Sequence, residues 1–427
     1  MIEKIYNDIA KETCLKYVHK SGVAVFMLPM EGYSSACAQF SVKFGSEDNS
    51  FSINGGEFQY IPDGTAHYLE HKLFESEEKN AFELFAQTGA ACNACTSFDY
   101  TQYYFSGADN FGKNLEILLG FVQDPYFTPE NVEKERGIIG QEITMYRDSP
   151  GWRVFTNLME NMFALNPVRL DIAGTVESIA QITDKTLYDC YNTFYNPANM
   201  YLCVAGKFDP DEVVRVCEER LRDREPLGVK TAPFAEPNEV INKRIVQTMP
   251  VAKPLFEIGF KRGLPSSGAQ LGDYSEDYLY YNILFDVIFG GVSDFFERMR
   301  ENGSINEQFG QGVMYGRGFM FPFARGESDD PDYVLEQIQE EIRKFKKTPP
   351  PKEQFSCIKK ASYGTLIRGL NDVDTVASML SESALAGVSP LYKIDLVAGA
   401  EYEKMLEKLE SLDEENVCIS IVKGENK

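Results

Sequence analysis

The segment His67-Tyr68-Leu69-Glu70-His71 holds two of the chain's three histidines within five residues. Residues four apart on a helix stand one above the other, so both imidazoles can turn a ring nitrogen toward one cation. Glu70 is three residues from His67 and next to His71, at the edge of that face. Its carboxylate can reach a metal-bound water without being a ligand. A bare His-x-x-x-His pair is often a surface helix that happens to carry two histidines. The acid between them, and the scarcity of histidine elsewhere, point to a metal site.

The motif needs a helix and a third ligand. Pro62-Asp63-Gly64-Thr65 predicts the helix start, with an N-capping oxygen from Asp63 or Thr65. Ala66, Leu69, Leu73 and Phe74 then recur on an apolar side. Catalytic zinc usually takes three protein ligands and keeps a position for water. His19 lies between Lys16 and Lys20 and reads as a surface residue. The segment from Thr128 to Tyr146 is the better source, opening with a cap and a first-turn proline, Thr128-Pro129-Glu130. Val132, Ile138, Ile139, Ile143 and Met145 mark its apolar side, interrupted by Gly137 and Gly140, which would let another helix pack close. Glu135 and Glu142 are two turns apart and share a face. Glu130, Glu133 and Lys134 read as solvated, whereas Glu142, flanked by Ile139 and Ile143, needs a partner.

His67-x-x-Glu70-His71 with Glu135 and Glu142 downstream resembles the pitrilysin and insulinase family of zinc metallopeptidases, whose motif inverts His-Glu-x-x-His. Gly89 to Ser97 resembles the family's Asn-Ala-x-Thr edge strand. Gly174 to Ile179, Phe194 to Met200 and Val204-Ala205-Gly206 resemble its later signatures. The resemblance covers nearly the whole chain and is nearest to mitochondrial-processing-peptidase-like bacterial members of about this length. It implies that His67, His71 and Glu142 bind one zinc ion per chain, that Glu70 is the general base on zinc-bound water, and that Glu135 supports the site as a second acid. It also implies that Asn93, Ala94 and Thr96 bind an extended peptide along the strand's free edge. Cys92 and Cys95, three apart, point to opposite faces of that strand and read as packing residues rather than a redox pair.

The expected fold class is α+β, with two homologous domains of mostly antiparallel sheet packed with helices, as the resemblance implies. Residues 1–223 read as the catalytic zinc-binding domain. The Pro- and Gly-rich stretch 224–243 reads as a linker, and 244–427 as a homologous, non-catalytic domain. There the pattern restarts: Leu255 to Lys261 echoes Ala38 to Lys43, and the helical run Tyr281 to Arg300 takes the place of the motif helix without a histidine. In family members, or their partner subunits, the helix after a Gly-Gly turn carries an Arg and, seven residues on, a Tyr that bind the substrate carbonyl. Gly290-Gly291 and Arg300 fit, but position 307 is Glu; Tyr315 is the nearest substitute. The departure implies a dimer enclosing a chamber, a heterodimer with a homologous subunit favoured over a homodimer, the partner supplying the Arg and Tyr.

The 42 basic and 65 acidic residues give a net charge of −23, which argues against nucleic acid and anionic membranes as partners. Acidic chamber walls would attract basic peptides, although acidity also simply favours solubility. The N-terminus lacks the apolar core of a signal peptide, and no segment approaches a membrane span. Nine scattered cysteines, among them Cys14, Cys190, Cys203 and Cys357, read as reduced core thiols. The expected location is the cytoplasm.

Overall fold

The computed structural model describes residues 1–77, 80–262 and 271–425. The chain forms two compact units. One comprises Met1–Ile143, Asp171–Ala232 and Leu366–Tyr392; the other comprises Thr144–Leu170, Pro233–Thr365 and Lys393–Lys427.

In the first unit the strands are β1 (Glu3–Asn7), β2 (Glu12–Val18), β3 (Ala24–Pro29), β4 (Ala36–Val42), β5 (Ser50–Ile53), β6 (Gln59–Tyr60), β7 (Ala91–Thr96), β8 (Thr101–Gly107), β9 (Met200–Gly206) and β10 (Val229–Thr231). The main sheet runs β1-β2-β3-β9-β4-β8-β7, and β10-β5-β6 form a small second sheet. All pairings are antiparallel except β3 with β9. The second unit's sheet is built from β11 (Arg244–Thr248), β12 (Leu255–Phe260), β13 (Gly310–Gly316), β14 (Phe319–Glu327) and β15 (Val417–Lys423). Its order is β11-β15-β12-β14-β13, with β11 and β15 its one parallel pair.

These orders reveal a duplication. Taken in chain order, β3, β4, β7, β8 and β9 occupy the same places, with the same directions, as β11, β12, β13, β14 and β15. The echo between Leu255–Lys261 and Ala38–Lys43 is therefore an equivalence of β12 with β4. The fold is α+β, with mostly antiparallel sheets carrying helices.

The helices that matter most are α1 (Thr65–Leu73), α2 (Ala81–Thr88), α3 (Phe111–Val122), α4 (Pro129–Arg147), α5 (Pro150–Met162), α6 (Val176–Ile179), α7 (Asp184–Phe194), α8 (Pro210–Arg220), α9 (Ser275–Phe289), α10 (Asp294–Glu301), α11 (Pro331–Lys347), α12 (Lys352–Gly369) and α13 (Val373–Ala386). The helical run expected over Tyr281 to Arg300 is two helices. A Cβ at Gly290 would lie 2.4 Å from the Asp286 carbonyl oxygen, and Ser293 caps the restart at α10.

Strand alternation divides the main sheet's faces. Ala38, Phe40 and Val42 of β4 join Leu69 and Leu73 of α1, Leu118 of α3, Ile139 of α4 and Leu187 of α7 in one apolar core. The other face is polar: Gln102 Nε2 donates to Gln39, Ser41 and Ser381, and Gln39 donates to Ser378, so α13 is seated on a hydrogen-bonded layer. The equivalent strands of the second unit, β12 and β15, are covered by α5, where a Cβ at Gly259 would meet Met162 Cε at 2.2 Å. Each sheet thus takes a covering helix from the stretch of chain between the last two strands of the other sheet's set.

The Pro-rich stretch near residue 230 is held by specific contacts. Val229–Thr231 pair with β5 in the first unit. In the second, the Glu236 carboxylate accepts the backbone N–H groups of Ala164, Leu165 and Asn166 and a 2.7 Å bond from the buried Lys261 Nζ. Among the described residues, no helix is long and apolar enough to cross a membrane.

Candidate metal centre

Helix α1 starts differently from the sequence expectation. Gly64 is the N-cap, with φ 88°, and no side chain caps the helix. Asp63 Oδ1 instead accepts from Asn49 Nδ2 (3.0 Å) and Tyr60 OH (2.6 Å), while Thr65 Oγ1 donates to the Pro62 carbonyl. Glycine is required there twice over, because the φ is left-handed and a Cβ would lie 2.4 Å from the Ala173 carbonyl oxygen. The loop before α6 closes on the same turn: Ser178 Oγ donates to the Asp63 carbonyl, and a Cβ at Gly174 would lie 2.5 Å from that oxygen. The motif Gly174-Thr175-Val176-Glu177-Ser178 therefore holds the start of the histidine helix.

Tyr68, fully buried, donates its hydroxyl to the Val132 carbonyl of α4, and the buried Lys72 Nζ donates to the Asn131 carbonyl at 3.3 Å. These contacts set α4 beside α1. Val132, Ile139 and Ile143 are buried, but Ile138 and Met145 are exposed, unlike the expectation that they share the apolar side. Gly137 and Gly140 have no helix packed close among the described residues: a Cβ at either position would meet nothing within 4 Å there.

The pairing brings three candidate ligands together. His67 Nε2 lies 3.8 Å and His71 Nε2 3.3 Å from the Glu142 carboxylate oxygens. One atom each from His67, His71 and Glu142 fall within 4.8 Å of one another. On the far side of the second ring, His71 Nδ1 is 3.0 Å from Glu135 Oε1. A carboxylate at Nδ1 fixes that tautomer and leaves Nε2 as the ligating atom. His67 Nδ1 is buried with no hydrogen-bond partner among the described residues. Two imidazole nitrogens and a carboxylate are a donor set that suits zinc.

The surrounding carboxylates favour a positive charge at the site, which the His71 ring carries as a proton that a metal ion would displace. Burial, then the neighbouring His71, push His67 down to about 4, against Glu142 and Glu135. Its ring is neutral and its lone pair free near neutral pH. Burial opposes protonation of His71, but its bonds to Glu135 and Glu142 and the charge of Glu70 outweigh that and push it up to about 10. Glu135 is held below its usual range: burial raises it most, but the hydrogen bond and charge of His71 with the charges of Lys72 and Lys134 together outweigh that. Glu70 is raised, chiefly by burial, with Thr96 and His71 acting against the rise.

The remaining expected residues are dispersed. β7 is the terminal strand of its sheet and has no strand partner on its outer side among the described residues. Asn93 is exposed, its Oδ1 accepting the Ala94 N–H at 2.9 Å, whereas Ala94 packs partly against the core. Thr96 Oγ1 donates to Glu70 Oε2 at 2.8 Å, a contact the sequence reading missed. Cys92 packs against the core, but Cys95 is exposed and is not a packing residue. Cys357 is exposed too, while Cys14, Cys190 and Cys203 are buried. Arg300, near the end of α10 in the second unit, pairs with Glu307 at 3.3 Å. Tyr315 stacks near Tyr278, ring centroids 4.3 Å apart. His19 is not on the surface: it is 1% exposed in the turn between β2 and β3, with Nδ1 2.7 Å from Ser21 Oγ. The flanking lysines misled because the ring packs inward beneath them.

Comparison with known proteins identifies related chains. The family model described as insulinase (peptidase family M16) matches residues 50–176, and the one described as peptidase M16 inactive domain matches residues 181–362. The uncharacterized zinc protease YmfH of Bacillus subtilis (strain 168) is 38% identical over 395 residues, 91% of each chain. An uncharacterized zinc protease of Rickettsia felis is 26% identical over 76% of each chain. The crystal structure of an M16-like peptidase from Alicyclobacillus acidocaldarius superposes with a TM-score of 0.92 at 31% identity, over 99% of this chain and 98% of that one. A protease from Helicobacter pylori, at 16% identity and TM-score 0.83 over 96% and 99% of the two chains, shares the fold.

Proposed function

The chain belongs to the insulinase family of peptidases, M16, and from that membership we propose that it is a zinc-dependent endopeptidase cutting extended peptides or leader segments. The observation that carries this reading is the convergence of His67, His71 and Glu142 within 4.8 Å, with Glu70 beside them on α1. The zinc-protease names of its relatives support it.

In this reading His67, His71 and Glu142 hold one zinc ion per chain, which supplies Lewis acidity, activating a water molecule and polarising the scissile carbonyl. Glu70 takes the proton of the attacking water and passes it to the leaving amine. Its partly buried setting raises its proton affinity, which favours its taking the proton from water. Glu135 keeps His71 oriented through Nδ1. The peptide adds to the outer edge of β7 at Asn93 and Ala94, where main-chain hydrogen bonds bind with little side-chain selectivity. Residues 1–223 form the catalytic domain, 224–243 the linker and 244–427 the homologous non-catalytic domain. The protein works in the cytoplasm, and its net charge of −23 favours basic substrates.

A second reading is favoured by Glu307, which stands where the family pattern has Tyr and engages Arg300. There the chain binds zinc and peptide but cuts only with a homologous subunit that supplies the Arg and Tyr, in a heterodimer enclosing a chamber; a homodimer is the other possibility. The test is cleavage of a quenched, basic, extended peptide by the purified chain, with zinc content measured and Glu70→Gln as control. Stoichiometric zinc with Glu70-dependent cleavage is the expected result. Zinc without cleavage selects the second reading, and a chain that takes up no zinc overturns both.

A further inference from the structure

Thr96 belongs by pattern to the residues expected to bind substrate, but its side chain is committed elsewhere. Along β7, Ala91, Asn93 and Cys95 are exposed while Cys92, Ala94 and Thr96 are partly covered, as period-two alternation requires. The hydroxyl of Thr96 therefore lies on the same side as Ala94, toward α1, and not beside Asn93. There Thr96 Oγ1 donates to Glu70 Oε2 at 2.8 Å.

Thr101, across the sheet, is the other oxygen near the Thr96 hydroxyl. Thr96 and Thr101 are directly paired in the β7–β8 register, so their side chains project on one face as neighbours. Thr101 is fully buried and donates its hydroxyl proton to the Phe44 carbonyl at 2.8 Å. Its oxygen lies 3.5 Å from Thr96 Oγ1, too far to compete with Glu70 for the Thr96 proton. Thr96 is only partly buried, so solvent could satisfy its hydroxyl. A protein acceptor is not needed for stability.

We infer that Thr96 is a positioning residue for the proposed base, holding Glu70 Oε2 so that the carboxylate is locked in one rotamer and Oε1 alone is left to receive a proton. The inference rests on the peptidase reading above. Thr101 Oγ1, at 3.5 Å, is too distant an acceptor to draw the Thr96 proton away from Glu70 Oε2 at 2.8 Å.

The experiment compares wild type with Thr96→Val, which keeps the shape and loses the donor, and Thr96→Ser, which restores it. For Thr96→Val we expect kcat to fall roughly 10- to 100-fold, the size of a misplaced catalytic group, with KM within about twofold and zinc content unchanged. Thr96→Ser should recover most of the loss. Binding of the same peptide, uncut, to Glu70→Gln and to Glu70→Gln/Thr96→Val should be equal by fluorescence anisotropy. Weaker binding or a raised KM at constant kcat would make Thr96 a substrate contact and overturn the inference, as would a Thr96→Val enzyme as fast as wild type. If wild type shows no Glu70-dependent cleavage, the peptidase reading fails separately. The crystal structure of Thr96→Val then decides this one, since an undisplaced Glu70 carboxylate overturns it and a displaced or disordered one upholds it.

Discussion

Glu135 shows how much of the candidate site lies behind its ligands. It is 7% exposed, and burying a carboxylate is costly unless a partner compensates. That partner is His71 Nδ1, at 3.0 Å. Replacing Glu135 with Gln removes the charge that holds the ring, and zinc affinity should weaken about 10- to 100-fold, as measured by competition with a chromophoric chelator. Unchanged affinity would mean that packing alone orients His71. In sequence Glu135 and Glu142 were distinguishable from the solvated Glu130 and Glu133 by their shared helix face, but which of the two meets which nitrogen depends on the depth to which α1 sits against α4. Thr96 was recognisable as an edge-strand residue, and its hydrogen bond to Glu70 was not, since no pattern within one strand reports a contact with a helix.

Glycines of the two site helices make opposite predictions about those elements. Gly64 has φ 88° and no space for a Cβ at the start of α1. Gly64→Ala should cost roughly 1–3 kcal/mol in urea unfolding and reduce zinc content, since it moves the turn that carries His67. A Cβ at Gly137 or Gly140 of α4 would meet nothing within 4 Å among the described residues, and both lie inside the helix. Alanine there should stabilise by about 0.5–1 kcal/mol each, with zinc content retained. Loss of stability at all three positions would show that the α4 glycines serve a packing role. The close packing that these glycines would allow is not used among the described residues, because small residues permit an approach without causing one.

For the whole molecule, the duplicated strand order is the main result, and Glu257 is a pH-sensitive point within it. It sits on β12, the counterpart of β4, and is 3% exposed. Burial pushes it up to about 7, with Arg325 opposing. The folded state therefore binds more protons than the unfolded one between the ordinary carboxylate range and pH 7, and the unfolding free energy falls as pH rises across that window. A shift of this size corresponds to roughly 3 kcal/mol. Glu257→Gln should match wild type near pH 4 and exceed it in stability above pH 7, read as the difference between urea curves at each pH. Parallel pH profiles for the two proteins would show that Glu257 titrates alike in both states.

Helix period and strand echo are local properties, so the chain alone carried the facing of His67 and His71 and the restart at Leu255, while its motifs carried the family resemblance that implied the α+β class. The rest depends on pairings between distant segments. α4 meets α1 through Tyr68 and Val132, the Gly174 loop grips the Asp63 turn, and α13 rather than a nearer helix covers β4 and β9. His19 was misplaced for the same reason: whether a histidine among lysines is covered depends on residues such as Glu218, whose carboxylate lies 3.5 Å from its ring about two hundred positions later. Local sequence encodes which face a side chain takes on its own element. What lies opposite that face is set when elements far apart in the chain bury their apolar sides together.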